Sequence, residues 1–490
     1  MSFEGAFLLV LCGFLVVVIV EGWRSYRSTS GEADFFVAGR KVGPWLGGAS
    51  IAATQMSAGT FVGTVGIHYT TGASFMWGWA GIWMSFVLSA YFIAPRLRRY
   101  AHERNALTFP DFIADRFGGK VPRAVVSVLL VFSYMVFMSA QYQAGGIILE
   151  TVFGIPFVWG ATILLVLVVG YTVVGGMMAV IRTDFLQQIA MAVGVVIGLP
   201  LLISHAGGLS ALATALPTVA PEFTGWGFGW GDMAGFWLGF GLAGLCAPYL
   251  LLRYYAMPDD RTCRRASGVA LLFVLLTGIC IAVAGMVMRV LYPTLSLADA
   301  ASTILASEVL PPFVGALMLS AVILAVLSTV DSVLLVAGPA ISHDIYHSLL
   351  RPDLTAAQRT TANRIATVVI GTLPLLLTLQ ELDIVQFVVL SYAALLASTI
   401  TAPVLLGLYW PRATKLGSVL SMLLGFGTCL LWYGLGSPWV EPVVPGVLAG
   451  LVAMVVGSLL TLPISPAELA VFFGPEPARS AATSMPESRA

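Results

Sequence analysis

The sequence predicts an all-α protein that crosses a lipid bilayer many times, and three observations carry that prediction. Of 490 residues, 58% are hydrophobic and 10% charged, with a mean hydropathy of +0.93, whereas soluble domains average about 25% charged residues. Apolar stretches long enough to cross about 30 Å of hydrocarbon recur along the whole chain. The basic residues, finally, are sorted by connection rather than gathered in a patch.

Thirteen stretches qualify as spans: 5–23, 43–67, 75–95, 124–149, 157–180, 184–204, 234–256, 267–291, 311–343, 363–379, 384–408, 416–434 and 443–465. Arg96, Arg98, Arg99, Arg104, Arg116, Lys120 and Arg123 fall in one connection, and Arg253, Arg261, Arg264 and Arg265 in another. Arg351, Arg359 and Arg364, then Arg412 and Lys415, continue the alternation. The intervening connections hold Glu150, Glu222, Asp232, Asp299, Glu308, Glu381, Asp383 and Glu441, with Arg289 as their basic residue. Because cationic connections stay in the cytoplasm, the N-terminus is expected outside and the C-terminus inside. The first span has no basic flank or small-residue cleavage site and reads as a retained helix. Trp77, Trp79 and Trp83 in the third span read as an interfacial belt. After about residue 466 the chain turns Pro-, Ser- and Ala-rich and reads as a disordered tail.

Two spans are interrupted. The second contains Gly47-Gly48 and then a small, polar run from Ala53 to Thr60; the seventh contains Gly239, Gly241, Gly244 and Pro248. Freed backbone groups at membrane depth are tolerated where they line a cavity. The interruptions lie five spans apart, the pattern of an inverted-repeat transporter with its ligands at the midplane.

The ninth span carries Ala325, Ser328, Thr329, Asp331 and Ser332 on one side of a helix, since spacings of three, four and seven residues return to the same face. Grouped oxygens of this kind suit a hard monovalent cation. A carboxylate there is costly unless it meets a cavity, an ion or a partner.

The chain resembles the sodium/solute symporters, a family that includes sodium/proline, pantothenate, monocarboxylate, sialic acid and glucose transporters. The resemblance rests on Asp34 to Arg40, on Tyr171 through Gly175, Gly176, Arg182 and Asp184, on Pro248 with Arg253, Arg264 and Arg265, and on Ser328-Thr329 through Asp344 and Tyr346. It implies a LeuT-type 5+5 inverted-repeat core made of spans two to eleven. On that division residues 1–42 hold the first span and a cytoplasmic loop, 43–204 the first repeat, 205–408 the second, 409–465 two further spans and 466–490 the tail. It also implies a sodium site from the carbonyls of Ala53, Met56 and Ala325 and the hydroxyls of Ser328 and Thr329. Asp184 matches an aspartate that in some members serves a second sodium with two serines; this chain has Asp331 and Ser332 there. Asp331 is open to three roles: binding a second sodium, carrying a coupling proton, or pairing with a neighbour. The solute is expected beside Gln55, Ser57, Gly59 and Thr60, with Gln141 of the fourth span polar at membrane depth.

The expected function is sodium-coupled import of a small organic solute, with sodium as the coupling ion and the bacterial cell membrane as the location. With no carboxylate in the broken second span, and with amides at a half-helix N-terminus, a monocarboxylate or pantothenate-like anion leads. Proline or another amino acid is the alternative, and a solute sensor acting through a separate signalling partner is the alternative of another class. A net charge of zero argues against nucleic-acid partners. Five scattered cysteines form no CxxC pair, and no HExxH, P-loop or GxSxG motif suggests an enzyme.

Overall fold

The computed structural model describes residues 2–28, 32–224, 229–380 and 384–473, and these are helical with no strand. Ten helices among the described residues are long and apolar enough to cross a membrane. Glu381, Asp383 and residues 474–490 lie outside the described residues.

The first expected span is α1 (Phe3–Ser28). The second divides into α2 (Pro44–Gln55) and α3 (Thr64–Thr71), joined through a widened turn at Gly59–Gly63. The third is α4 (Met76–Leu88) running into α5 (Ala94–Arg104). A short α6 (Phe109–Phe117) leads to α7 (Lys120–Phe153), and α8 (Phe157–Gly175) and α9 (Met177–His205) follow. After α10 (Leu209–Val219), a helix that the sequence reading gave to no span, the seventh span divides into α11 (Trp230–Cys246) and α12 (Pro248–Tyr255). Next come α13 (Asp260–Leu291), α14 (Pro312–Pro339), which continues as wider turns to Leu350, and the pair α15 (Ala356–Thr372) and α16 (Pro374–Thr378). The chain ends in α17 (Val385–Tyr409), α18 (Lys415–Gly434), α19 (Val443–Leu459) and α20 (Pro466–Phe473).

The last helix corrects the expectation of disorder from residue 466. Its start carries a capping pair, with Ser465 N–H donating to Glu468 Oε2 at 3.3 Å and Glu468 N–H to Ser465 Oγ at 3.4 Å. Phe472 then stacks on Tyr100 with ring centroids 5.2 Å apart, which anchors the helix to α5.

Both interruptions are present, at corresponding places. Met56 leaves the helical region with φ −81° and ψ 95°, and Ala247 does so with φ −58° and ψ 118° before Pro248, whose ring supplies no N–H. Gly47 and Gly48, read from sequence as part of the first interruption, lie within regular α2. They serve packing instead: a Cβ on Gly48 would stand 2.5 Å from the Ala266 carbonyl oxygen of α13.

Two arginines counted as cytoplasmic loop charges are buried. Arg116, 1% exposed, donates to Gly407 O at 2.7 Å, Trp410 O at 2.9 Å and Ala413 O at 3.2 Å, closing the C-terminal end of α17 where carbonyls lack helical partners. Arg253, also 1% exposed, lies in α12. Nearby, Arg123 donates to Asp111 at 2.7 Å and to Asp344 at 2.9 Å, fixing the end of the α14 extension against α6 and α7. Burial pushes the Asp111 carboxyl up, but Arg123, His343 and the Thr108 and Leu107 N–H groups together hold it below its ordinary value.

Candidate functional site

The first break releases carbonyls into the middle of the molecule. In an unbroken helix the N–H of Ser57 would return to Ala53 O and that of Ala58 to Thr54 O. Here Ser57 N–H donates to Thr60 Oγ1 at 3.2 Å and Ala58 N–H to Gln141 Oε1 at 2.9 Å. Thr60 N–H bonds Ser57 O at 2.9 Å, so it does not return to Met56 either.

Across from this gap α14 presents its hydroxyl face. Ser328 Oγ donates to Ala53 O at 3.3 Å and to Ala325 O at 3.0 Å, and Thr329 Oγ1 to Thr54 O at 3.5 Å. Ala53, Met56, Ala325, Ser328 and Thr329 are all 0% exposed. Three of the five expected sodium ligands, Ala53, Ala325 and Ser328, are thus joined by direct contacts, while Thr329 reaches the neighbouring Thr54 carbonyl and Met56 sits in the break beside them. A donor set of neutral oxygens, carbonyls freed by the break in α2 and hydroxyls on the face of α14, fits sodium: it offers dipoles to a hard cation without a carboxylate cage to trap it.

One turn along the same helices lies a charged cluster. Arg253 Nη2 donates to Asp184 Oδ2 at 3.1 Å and to Ser332 Oγ at 2.5 Å, and Nε donates to Ser50 Oγ at 3.0 Å. Ser50 and Thr54 hydroxyls also reach Asp184 Oδ2, at 2.6 and 3.4 Å. Ser332 Oγ donates to Asp331 Oδ1 at 3.2 Å and lies 3.2 Å from Thr54 Oγ1. Asp184 and Ser332 thus share Arg253, and Asp331 accepts from its neighbour Ser332. Sequence reading had placed that arginine in a loop; the signal available was an arginine flanked on both sides by apolar and aromatic residues, Leu250 to Tyr255.

The solute expectation meets a small cavity of about 30 Å³ beside the break. Gln55, Ser57, Thr60, Thr64 and Gln386 supply its polar wall, and Phe75, Trp79, Phe137, Phe240, Tyr249 and Tyr392 its ring-bearing wall. Gln55 Oε1 is buried with no hydrogen-bond partner among the described residues. Trp79, 3% exposed, belongs to this wall and not to an interfacial belt. Two expected solute contacts are not among the residues that line this cavity. Gln141, 0% exposed, does not line the cavity; it holds the Ala58 amide and donates to Phe137 O at 3.3 Å, so it props the break open from behind. Gly59 faces α17, where a Cβ would meet Val389 Cγ2 at 2.8 Å and Gln386 Oε1 at 2.9 Å.

With this geometry in hand, likeness to known proteins is informative. The chain is 27% identical over 457 residues to the high-affinity proline transporter PutP of Bacillus subtilis (strain 168), covering 91% of this chain and 96% of that protein. It is 26% identical over 482 residues to a sodium/proline symporter of Staphylococcus aureus (strain USA300 / TCH1516), covering 92% of each. Its fold matches that of a Na+-coupled sialic acid symporter in a substrate-bound outward-open state, with a TM-score of 0.80 over 95% of this chain and 100% of that one at 21% identity. Residues 35–425 match the model of the sodium:solute symporter family. The chain belongs to the sodium:solute symporter family.

Proposed function

We propose that the chain is a sodium-coupled symporter that imports proline, or a small amino acid like it, across the bacterial cell membrane. The observation that carries this reading is the junction of α2 and α14, where carbonyls freed by the break meet the Ser328 and Thr329 hydroxyls next to the cavity. Sodium held by Ala53, Met56, Ala325, Ser328 and Thr329 joins the two helices. An ion that binds one arrangement of two elements more tightly than the other shifts the equilibrium toward it, and an ion and a solute that favour the same arrangement raise each other's affinity. That linkage is the coupling. Thirteen spans, with the N-terminus outside and the C-terminus inside, complete the reading.

Proline replaces the monocarboxylate reading for two reasons. The relatives at 26–27% identity are proline transporters by name. The amides expected to meet a lone carboxylate are occupied: those of Ser57 and Ala58 already bond Thr60 and Gln141. A zwitterion brings its own opposite charge and does not leave an uncompensated anion in a low-dielectric cavity. The unpartnered Gln55 Oε1 suits an ammonium N–H, and the ring-bearing wall suits the apolar face of a pyrrolidine. Since about 30 Å³ holds little more than a water, binding requires the lining side chains to move apart.

The test is uptake of radiolabelled proline into proteoliposomes under an inward sodium gradient. Concentrative, saturable uptake that stops when choline replaces sodium supports the reading. Uptake of lactate or pantothenate but not proline would move the substrate class back to the anion.

A further inference from the structure

A groove runs down the outside of the molecule between α15 and the extension of α14 beyond Pro339. Its volume is about 610 Å³, against about 30 Å³ for the cavity at the break. Ile341 and Tyr346 belong to one wall, and Leu354, Gln358, Ile365 and Val369 to the other. The walls are tied at the Ser342 hydroxyl, which donates to Asn363 Oδ1 at 2.9 Å. Gln358 and Val369 stand eleven residues apart on one helix, a length of about 16 Å. Half of a bilayer's hydrocarbon is about 15 Å thick, so the groove is as long as the acyl layer of one leaflet. The helix it follows is apolar enough to span a membrane, and Ile365, Val368 and Val369 on it are exposed, so this face meets acyl chains.

The residues that line the groove are uncharged, and charge gathers at one end of it. Arg351 N–H donates to Tyr346 O at 2.8 Å and Arg359 Nε to Leu354 O at 3.1 Å, so both arginines are held against residues of the mouth. Arg364 is exposed on α15, and helical side chains lean toward the N-terminal end of their helix, which here is the mouth. Over residues 351–364 these three arginines stand against one acid, Asp353, an excess of two positive charges. Basic pockets between membrane helices take anionic lipid headgroups, and long basic side chains reach the polar surface while their stems lie on apolar ground. A zwitterionic lipid has the chain for this groove but gains little from the excess charge. A free phosphate has the charge but leaves the groove empty.

We propose that this groove is a binding site for an anionic phospholipid, with one acyl chain between α14 and α15 and the phosphate at Arg351, Arg359 and Arg364. The inference depends neither on the sodium junction nor on proline as the solute. It places a lipid against the continuation of the helix that carries Ser328 and Thr329.

The experiment is native mass spectrometry of the detergent-purified chain, titrated with palmitoyl-oleoyl phosphatidylglycerol or with the phosphatidylcholine of the same chains, and with glycerol 3-phosphate as a soluble competitor. Wild type should bind phosphatidylglycerol at least about tenfold more tightly, since each arginine at a membrane surface contributes roughly fivefold to the affinity of an anionic lipid. Arg351→Gln, Arg359→Gln and Arg364→Gln together should bring the two lipids within about twofold of each other. Ala362→Trp, which fills the groove from its lining, should weaken both, and glycerol 3-phosphate should displace neither. Equal binding of the two lipids by wild type overturns the proposal without any variant, so a variant that fails to fold does not protect it. A preference that survives both the arginine and the Ala362 variants places the lipid elsewhere and overturns it as well. Displacement by glycerol 3-phosphate makes the site one for a soluble anion and overturns the lipid assignment.

Discussion

Two clusters of oxygens lie one helical turn apart on α2 and α14, and they are built in opposite ways. At Ala53, Ala325, Ser328 and Thr329 the oxygens are neutral, a carbonyl beside the break in α2 meeting a carbonyl and two hydroxyls of unbroken α14. At Asp184, Asp331 and Ser332 charge is plentiful, the backbone is regular, and an arginine closes the set. The difference follows from electrostatics. An ion that must leave into the cytosol needs a site whose attraction is modest, and dipoles provide that. A carboxylate at membrane depth is costly unless it is paired, and Arg253 pairs Asp184. On the proposed reading, the exchangeable ion belongs to the cluster the sequence marks by small residues and hydroxyls, not to the one it marks by acids.

Three variants break or sharpen this contrast. Ser328→Ala combined with Thr329→Ala removes both side-chain oxygens of the neutral site. At about 1.5 kcal/mol for each contact to a charged group, the loss is about 3 kcal/mol, and half-maximal uptake should need roughly a hundredfold more sodium. Unchanged sodium dependence would remove the assignment. Asp331→Asn deletes one charge from the other cluster while keeping its hydrogen-bonding shape. If that charge acts on the neutral site through space, the sodium requirement should rise about tenfold, on the order of 1.4 kcal/mol, in isotherms of stability against sodium. A variant identical to wild type would confine Asp331 to pairing within its own cluster. Gln55→Ala should weaken solute affinity about fivefold, on the order of 1 kcal/mol for one hydrogen bond, with the sodium requirement changing less when it is measured without solute. The reverse ranking would place Gln55 in the ion's environment and the solute elsewhere.

What the sequence made legible was local, and what it concealed was long-range. The break after Gln55 was visible because a small, polar run is out of place in an apolar span, and the Ser328–Thr329 face was visible because helical spacing groups it. The partner of Asp184 was not, since Arg253 lies 69 residues away in the chain and an arginine near the end of a span reads as a loop charge. Trp79 shows another limit: a ring with one polar edge suits a membrane interface and a solute cavity equally. Gln141 announced a need for a partner at membrane depth, but only the structure identifies that partner as the Ala58 amide. The last helix carried a readable signal, Ser465 three residues before Glu468, that the surrounding Pro-, Ser- and Ala-rich composition masked.

The central claim is that one neutral site binds sodium and that sodium and proline bind together. The most direct measurement is the thermal stability of the purified protein in sodium chloride against choline chloride, with and without proline. A ligand at about 100 times its dissociation constant stabilises the folded state by roughly 2.7 kcal/mol, enough to resolve. The account predicts stabilisation by sodium alone and a further increase from proline that is much larger in sodium than in choline. Equal stability in the two salts, with proline acting the same in both or in neither, would contradict it.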